Sequence, residues 1–362
     1  MPEAAAPAPG RPPLAQIYFY LTAGCNLACR HCWLAPPFDP QAEKATLPVE
    51  LFERAIAEAK PLGLSGVKLT GGEPLLHPEF MTLLDVVARE ELGLTVETNG
   101  TLLTEEHCAR LAEMPSAFVS VSIDGSDAAT HDAVRGVRGS FDKALAAVRL
   151  LAAAGLRPQI IFSVMRENAH QVEAAVRLAE ESGAGSLKFN VVQPTARGER
   201  IHDSEAALGV GEYIRLGRFV DGELAPAASV EVSFDCPPAF RPLRRLATGR
   251  GRGRCGIFGI IGVIADGRYA LCGIGEQVPE LIFGVVGEDA LSEIWRAHPV
   301  LVQLREGLPS RLGGVCAGCL MSGACLGSCI AQNYYRSGDL FAPYWFCEEA
   351  EREGLFPDSR RR

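Results

Sequence analysis

The chain has 362 residues, of which 48% are apolar and 22% charged, so its composition is that of a folded protein and not of a disordered or collagen-like one. Asp and Glu outnumber Lys and Arg by 44 to 35, and the formal net charge of −9 argues against non-specific nucleic-acid binding. No apolar run is long enough to span a bilayer, and the first residues lack the pattern of a signal peptide. We therefore expect a cytoplasmic protein with neither a nucleic-acid nor a membrane partner.

Short segments rich in β-branched and aromatic residues alternate with longer segments of helical periodicity in the first half of the chain. The predicted strands are residues 17–21, 66–69, 94–97, 118–122, 159–164 and 186–191. The predicted helices between them are residues 48–59, 78–90, 104–112, 140–154 and 168–181. This alternation predicts an α/β fold in which six parallel strands with right-handed crossovers curve into an open or partial barrel.

Polar, glycine-containing segments follow the predicted strands at the carboxyl ends, where α/β sheets place their chemistry. These segments are residues 25–32, 71–74, 98–100, 123–125, 166–168 and 193–198. A single concave site built from all six loops is the simplest interpretation.

The strand–helix pattern ends after Gly198. A helix is predicted at 211–220, a basic, glycine-rich stretch follows at 241–254, and Asp266-Gly267 forms the expected turn of a hairpin over 262–271. From Cys255 onward the chain is dense in Gly and Cys, and we expect its fold to depend on bound metal.

The sequence thus predicts five consecutive units. They are a flexible leader at 1–15, the partial barrel at 16–205, a bridging segment at 206–254, a small cysteine-rich domain at 255–350, and a tail at 351–362 whose Arg-rich end is solvated.

The cysteines fall mainly into two groups. Three lie in the loop after the first predicted strand, and seven lie in the last third of the chain: Cys25, Cys29 and Cys32; then Cys255, Cys272, Cys316, Cys319, Cys325, Cys329 and Cys347. In a chain of this size without a secretion signal, clustered thiols indicate metal ligands rather than disulfides. Three thiolates hold a cubane iron–sulfur cluster and leave one iron open, whereas zinc would need a fourth ligand such as His31.

The motifs around the first three cysteines carry a resemblance to a known family. Cys25, Cys29 and Cys32 are spaced Cys-x3-Cys-x2-Cys and followed by Trp33, and further motifs lie at Gly71-Gly72-Glu73-Pro74, 97–100, 120–125 and 131–136. In these motifs the sequence resembles the radical S-adenosylmethionine (SAM) superfamily over about residues 16–200. The resemblance implies one-electron cleavage of SAM to methionine and a 5′-deoxyadenosyl radical that abstracts hydrogen from a substrate.

The same resemblance implies a role for each matching residue. Gly71, Gly72 and Glu73 would receive the amino group of SAM, and Ser122 and Arg135 its carboxylate. Asn99 would reach the ribose or the sulfonium region, and Trp33 would flank the adenine.

The cysteines of the last third resemble the SPASM extension of radical SAM enzymes, which carries two auxiliary [4Fe–4S] clusters and brings the implied number of clusters to three. On that pattern the outer cluster is held by Cys316, Cys319, Cys325 and Cys347, and the inner one by Cys255, Cys272 and Cys329. Cys236 has three open roles, as a fourth ligand of the inner cluster, a catalytic hydrogen-atom donor or a buried free thiol. Cys108 is expected to be a small buried thiol.

Radical SAM proteins with this extension most often modify peptides, so the resemblance implies maturation of a ribosomally made peptide by thioether or carbon–carbon cross-linking or another oxidation. The enzymatic alternatives are epimerisation through Cys236, haem side-chain processing, and formylglycine formation, which is disfavoured because Gly273 stands where such enzymes have Asp. The non-enzymatic alternative is a zinc-stabilised binding protein. Only 24 residues precede Cys25, so a separate leader-recognition protein is a further expectation, as is a reductase such as flavodoxin or ferredoxin.

Overall fold

A ten-stranded sheet organises the part of the chain that the computed structural model describes, residues 12–38, 45–243, 246 and 255–362. The strand order is β10-β9-β8-β1-β2-β3-β4-β5-β6-β7. The strands are β1 (Gln16–Tyr20), β2 (Gly66–Thr70), β3 (Gly93–Thr98), β4 (Ala117–Ser122), β5 (Gln159–Val164), β6 (Ser186–Val191), β7 (Glu231–Asp235), β8 (Ile260–Val263), β9 (Arg268–Ala270) and β10 (Ile282–Val285). Strands β1 to β7 are parallel, which confirms the predicted α/β barrel-type sheet.

Helices connect these strands and cover the sheet. Those of the first two thirds are α1 (Val49–Ala59), α2 (Phe80–Arg89), α3 (Glu105–Ala112), α4 (Ala128–Arg135), α5 (Ser140–Ala153), α6 (Val172–Ser182), α7 (Arg197–Asp203), α8 (Val210–Phe219) and the short Ala225–Ala227. Those of the last third are Leu291–Ala297, Pro299–Gly307, Gly314–Ala317, Ser322–Cys325, Ile330–Ser337 and Trp345–Arg352. In α1 the buried positions are Phe52, Ala55, Ile56 and Ala59, whose helical spacing turns one apolar face onto the sheet. No helix in the described part of the chain is long and apolar enough to cross a membrane.

Helix α4 is an element of the barrel that the sequence analysis missed. Asp127 caps its first turn by accepting a hydrogen bond from the Thr130 amide at 2.8 Å, and Gly136, with φ of 73°, ends it. Its buried face carries His131 and Arg135 beside Val134, so the apolar periodicity that reveals other helices is absent.

The sheet extends beyond the six predicted strands at both edges. Strand β7, within the segment predicted to be a bridge, pairs with β6 in the register Asn190↔Asp235. At the other edge β8 pairs in parallel with β1, and the predicted hairpin β8–β9 turns at Gly267, whose φ is 85°. The cysteine-rich region therefore continues the barrel sheet, and its apolar residues join the same core.

The two ends of the described chain are both attached. Leu14, in the predicted leader, is fully buried ahead of β1, while residues 1–11 lie outside the described residues, as do 244, 245 and 247–254 of the predicted basic stretch. In the predicted solvated end, Ser359, Arg361 and Arg362 are exposed, but the backbone is attached, because the Arg360 carbonyl accepts from the Leu320 amide and the Arg362 amide donates to the Gly318 carbonyl, each at 2.8 Å. Buried Phe356 anchors this segment against the core.

Candidate active site

Three cysteines converge in the loop that leaves β1. Cys25, Cys29 and Cys32 pack together with Leu27 and Val137 in a small cluster separate from the main core. Burial, with smaller contributions from Glu73 and the neighbouring thiols, raises the pKa of the Cys25 thiol to about 12. Such thiols lose their protons when they bind a metal centre, so this donor set fits an iron–sulfur cluster held through three cysteines.

The end of α4 holds the middle of this cysteine loop. The Ala28 amide donates to the Arg135 carbonyl and the Arg30 amide to the Val134 carbonyl, each at 3.0 Å. Gly136 allows this approach, because a Cβ there would lie 2.9 Å from the Ala28 carbonyl oxygen. The helix missed from the sequence is therefore part of the support for the three thiols.

Glu73 lies at the end of β2 with only 1% of its surface exposed. Its carboxylate accepts hydrogen bonds from the Thr98 hydroxyl at 2.6 Å and from the Asn99 amide at 2.8 Å. Burial nevertheless raises the pKa of Glu73 to about 7. A substrate ammonium beside it would favour the ionised form, so the site fits the amino group of SAM.

Gly71 and Gly72 bring the β2 loop against the cysteine loop. Gly71 has φ of +131°, and a Cβ on Gly72 would overlap the carbonyl oxygen of Gly24. Both glycines line a cavity of about 260 Å³ together with Tyr20, Thr22, Ala23, Leu34, Ala35, Pro36, Pro37, Glu276 and Gln277. Of the predicted SAM residues, Gly71 and Gly72 line this cavity.

The remaining predicted SAM residues surround the same loops. Asn99 donates a hydrogen bond to the Asn26 side chain at 2.8 Å, and its amide nitrogen lies 3.9 Å from the Cys25 sulfur. Ser122 is half-buried at the end of β4. Trp33 meets the Tyr20 ring edge-to-face at 6.3 Å.

Arg135 forms a buried ion pair that the sequence analysis did not anticipate. One of its guanidinium nitrogens lies 2.8 Å from the Asp124 carboxylate, and another donates to the Cys29 sulfur at 3.5 Å. Asp124 is fully buried; burial acts to raise its pKa, but the charges of Arg135 and His31 and the Ser163 amide hold that pKa below its usual range. His31 lies 3.4 Å from the same carboxylate. The sequence signal for this ion pair was the position of Asp124, two residues after the end of β4.

The seven cysteines of the last third form two groups. Cys316, Cys319, Cys325 and Cys347 line one small cavity, beneath Pro237, Ala239, Met321, Ser322, Gly327 and Phe356. Cys255, Cys272 and Cys329 line a second cavity of about 380 Å³ that also reaches Trp33. Burial raises the pKa of Cys325 and of Cys272 to about 12, and within each group the neighbouring thiols add to the shift.

Cys236 lies between these two groups. It lines the cavity of the inner group, while its charge also raises the pKa of Cys347 in the outer group. Burial raises the pKa of the Cys236 thiol well above its usual range. This location is compatible with each of its three predicted roles. Cys108 is buried in α3, away from both groups, and burial raises its pKa to about 11.

All twelve cysteines are free thiols. Within the described ranges, no three His, Cys, Asp or Glu side chains lie close enough together to hold one metal ion. Thiolates that share one zinc ion, each about 2.3 Å from it, lie within about 4 Å of one another. Thiolates bound to separate irons of a cubane lie farther apart, so cysteines arranged around a cavity are compatible with a cluster.

Comparison with known proteins assigns this arrangement to a family. The model of the radical SAM superfamily matches residues 19–179. The AdoMet-dependent heme synthase of Methanosarcina barkeri is 31% identical over 346 residues, which are 91% of this chain and 95% of that protein. The chain belongs to the radical SAM superfamily. The mycofactocin maturase MftC of Mycobacterium ulcerans is 30% identical over 329 residues, 89% of this chain and 85% of the maturase.

Solved structures share the fold. Streptococcus suis SuiB bound to precursor peptide SuiA superposes with a TM-score of 0.70 at 18% identity, covering 93% of this chain and 76% of SuiB. The enzyme anSMEcpe with bound AdoMet gives a TM-score of 0.72 at 19% identity, covering 94% and 92%. Membership in the radical SAM superfamily implies a [4Fe–4S] cluster and SAM as cofactors, and the three thiols of the β1 loop beside Glu73 fit this pair.

Proposed function

We propose that this radical SAM enzyme abstracts a hydrogen atom from a peptide, as a maturase of ribosomally made peptides. The observation that supports the site is the cavity of about 380 Å³, which extends from Trp33, the residue after Cys32, to the three inner cysteines. A substrate there would lie between the SAM-side loops and the cysteine-rich region. The peptide class is supported by the maturase that is 30% identical over most of both chains.

The cofactors, when bound, supply a 5′-deoxyadenosyl radical next to the cavity. Cys25, Cys29 and Cys32 would hold the cluster through three irons and leave the fourth to SAM. Glu73 would accept hydrogen bonds from the SAM ammonium, helped by the Thr98 and Asn99 donors that fix its carboxylate.

The other SAM contacts follow from the same placement. Ser122 and Arg135 would receive the carboxylate, and Asn99 and Trp33 the ribose and adenine. Because Arg135 is held by buried Asp124, its guanidinium is fixed and needs no rearrangement when SAM binds.

The proposal includes two auxiliary clusters. Four thiols would hold the outer cluster, and three the inner one: Cys316, Cys319, Cys325 and Cys347; then Cys255, Cys272 and Cys329. Cys236, in the wall of the substrate cavity, would serve as the catalytic hydrogen-atom donor or as the fourth inner ligand. A reductase such as flavodoxin or ferredoxin and a separate leader-recognition protein complete the proposed partners.

Haem side-chain processing is the second candidate, favoured by the 31% identity to a heme synthase over 95% of that protein. Formylglycine formation is disfavoured on steric grounds. A Cβ on Gly273 would overlap the ring of Tyr20, so the catalytic Asp expected at this position has no room.

The decisive experiment compares two substrates under strict exclusion of oxygen. The reconstituted, reduced protein is incubated with SAM and either the peptide encoded beside its gene or coproporphyrin with bound iron, and products are measured by mass spectrometry. A peptide lighter by two hydrogens, or carrying deuterium from the solvent, supports the maturase. A porphyrin that has lost carbon dioxide supports the second candidate. If all three clusters are present, the reconstituted protein should contain about 12 iron atoms per chain. If no 5′-deoxyadenosine forms with either substrate, both functions are refuted.

A further inference from the structure

Lys188 lies on β6, in the wall of the proposed substrate cavity. Its ammonium lies 3.2 Å from the carboxylate of Asp235 on β7, and 34% of its side chain is exposed. Asn190 is two residues further along β6, directly opposite Asp235 in the strand register. Among the described residues that line this cavity, Lys188 is the one with a basic side chain.

Asp235 has a second positively charged partner besides Lys188. The Arg241 guanidinium lies 3.4 Å from the other carboxylate oxygen, and only 6% of the Arg241 side chain is exposed. Arg241 also donates to the Cys236 carbonyl at 2.6 Å, which fixes it behind the cavity wall. A buried guanidinium requires an anion, so Asp235 is committed to Arg241. Lys188 is therefore left with positive charge that faces the cavity.

Lys68 on β2 provides the contrast. Its ammonium lies 2.7 Å from the Glu97 carboxylate and 4.4 Å from the centre of the Tyr18 ring. No second cation is recorded at 4 Å or less from Glu97 within the described residues, so the charge of Lys68 is balanced by its own partner. Of these two lysines, Lys188 alone shares its carboxylate with a second cation.

Two carboxamides adjoin this charge in the same wall. The side-chain oxygens of Asn190 and Gln332 are buried and have no hydrogen-bond partner among the described residues. A carboxamide turned by 180° presents two N–H donors in place of its oxygen. Asn190 can therefore donate to an anion held by Lys188, and a bound ligand would remove the cost of an unpaired buried group.

We infer that Lys188, together with Asn190, binds a carboxylate of the substrate and holds it against the β6–β7 wall. This inference rests on the proposed function only in taking the cavity as the substrate site. The carboxylate can belong to an acidic side chain or the C-terminus of a peptide, or to a porphyrin propionate. In each case Lys188 selects for the ionised acid over its ester or amide.

Binding to the reconstituted full-length protein with SAM tests the inference. The probes are coproporphyrin and its tetramethyl ester, and the peptide encoded beside the gene with its carboxylates free or converted to amides. We expect one acid probe to bind wild type, Lys188→Met to weaken it by about tenfold to a hundredfold, and Lys188→Arg to restore part of the loss. Lys143→Met removes an exposed lysine of α5 and should change nothing.

The responding probe identifies the source of the carboxylate. The inference is overturned if wild type prefers neither acid over its neutral form, or if Lys188→Met, with the iron content of wild type, binds the acid equally well. Failure of the proposed function is a separate result, because it is read from the absence of a SAM-dependent product in wild type.

Discussion

Replacing Arg135 with Leu tests the buried ion pair beside the cysteine loop. At 2.8 Å and an effective dielectric constant of about 20, the attraction between Arg135 and Asp124 is about 6 kcal/mol before desolvation. Removing one partner of such a pair leaves the other charge buried, and we expect the free energy of unfolding to fall by about 3–5 kcal/mol. Urea unfolding of the anaerobic full-length protein at pH 7.5 measures this change.

The pH dependence of this loss in unfolding free energy is a more specific test of the ion pair than its size at one pH. In wild type the pKa of Asp124 is lowered on folding, so its contribution is present above the ordinary pKa near 4 and is lost as pH falls through the folded value. Without Arg135, burial dominates and raises that pKa, so the penalty in Arg135→Leu should shrink as pH falls from 7.5 toward 5.5. Adding Asp124→Asn should recover part of the loss at pH 7.5, because a neutral side chain still accepts from the Ser163 amide. A deficit that grows toward low pH, or a double variant no more stable than Arg135→Leu, would refute this reasoning.

Three further predictions concern the loops and the cavity. In Gly72→Ala the added methyl group has no room beside the cysteine loop, and we expect 5′-deoxyadenosine formation to fall at least about tenfold. Gly222→Ala places its methyl group in open space and should leave the rate unchanged. Equal rates for the two variants would contradict the close contact of Gly72 with the cysteine loop. Gly273→Ala should displace Tyr20 and lower the unfolding free energy by about 1–3 kcal/mol in urea, since overpacking a filled site costs that much. Cys236→Ala should abolish turnover if its thiol donates hydrogen, and should also lower iron content if it is a ligand; full turnover with full iron would exclude both roles.

The sequence was sufficient for elements whose apolar residues follow a regular period. Strands β1 to β6 are continuous apolar or alternating segments, and Asp266-Gly267 marked the turn of the β8–β9 hairpin. It failed for α4 because His131 and Arg135 occupy the buried face where apolar residues are expected. Strand β7 was missed although Val232 and Phe234 alternate with polar neighbours, because it follows consecutive helical segments, after the regular strand–helix alternation has ended.

Some features of the candidate site could likewise be predicted from the sequence, and others could not. The first three cysteines were visible because they lie close in sequence with characteristic spacing, whereas the division of the later seven into two groups came from the resemblance to the SPASM extension. The contacts between Lys188, Asp235 and Arg241 were not, because they exist only once β7 pairs with β6. The overlap that a side chain at Gly273 would make with Tyr20 likewise depends on β8 lying beside β1. Local spacing indicates candidate ligands, whereas charge balance across strands requires the tertiary fold.

The parallel pairing of β8 with β1 has a mechanical consequence. The two strands pair from Gln16↔Ile260 to Phe19↔Val263. This pairing joins the start of the cysteine-rich region to the strand that leads into Cys25. Backbone ladders of this kind do not slide, so the distance over which an electron would travel between the first and the inner thiol groups is set by the sheet and not by a hinge. A C-terminal domain transplanted from another enzyme would have to reproduce this strand pairing. Removal of β8 would leave the edge of β1 without a hydrogen-bonded neighbour and therefore prone to self-association.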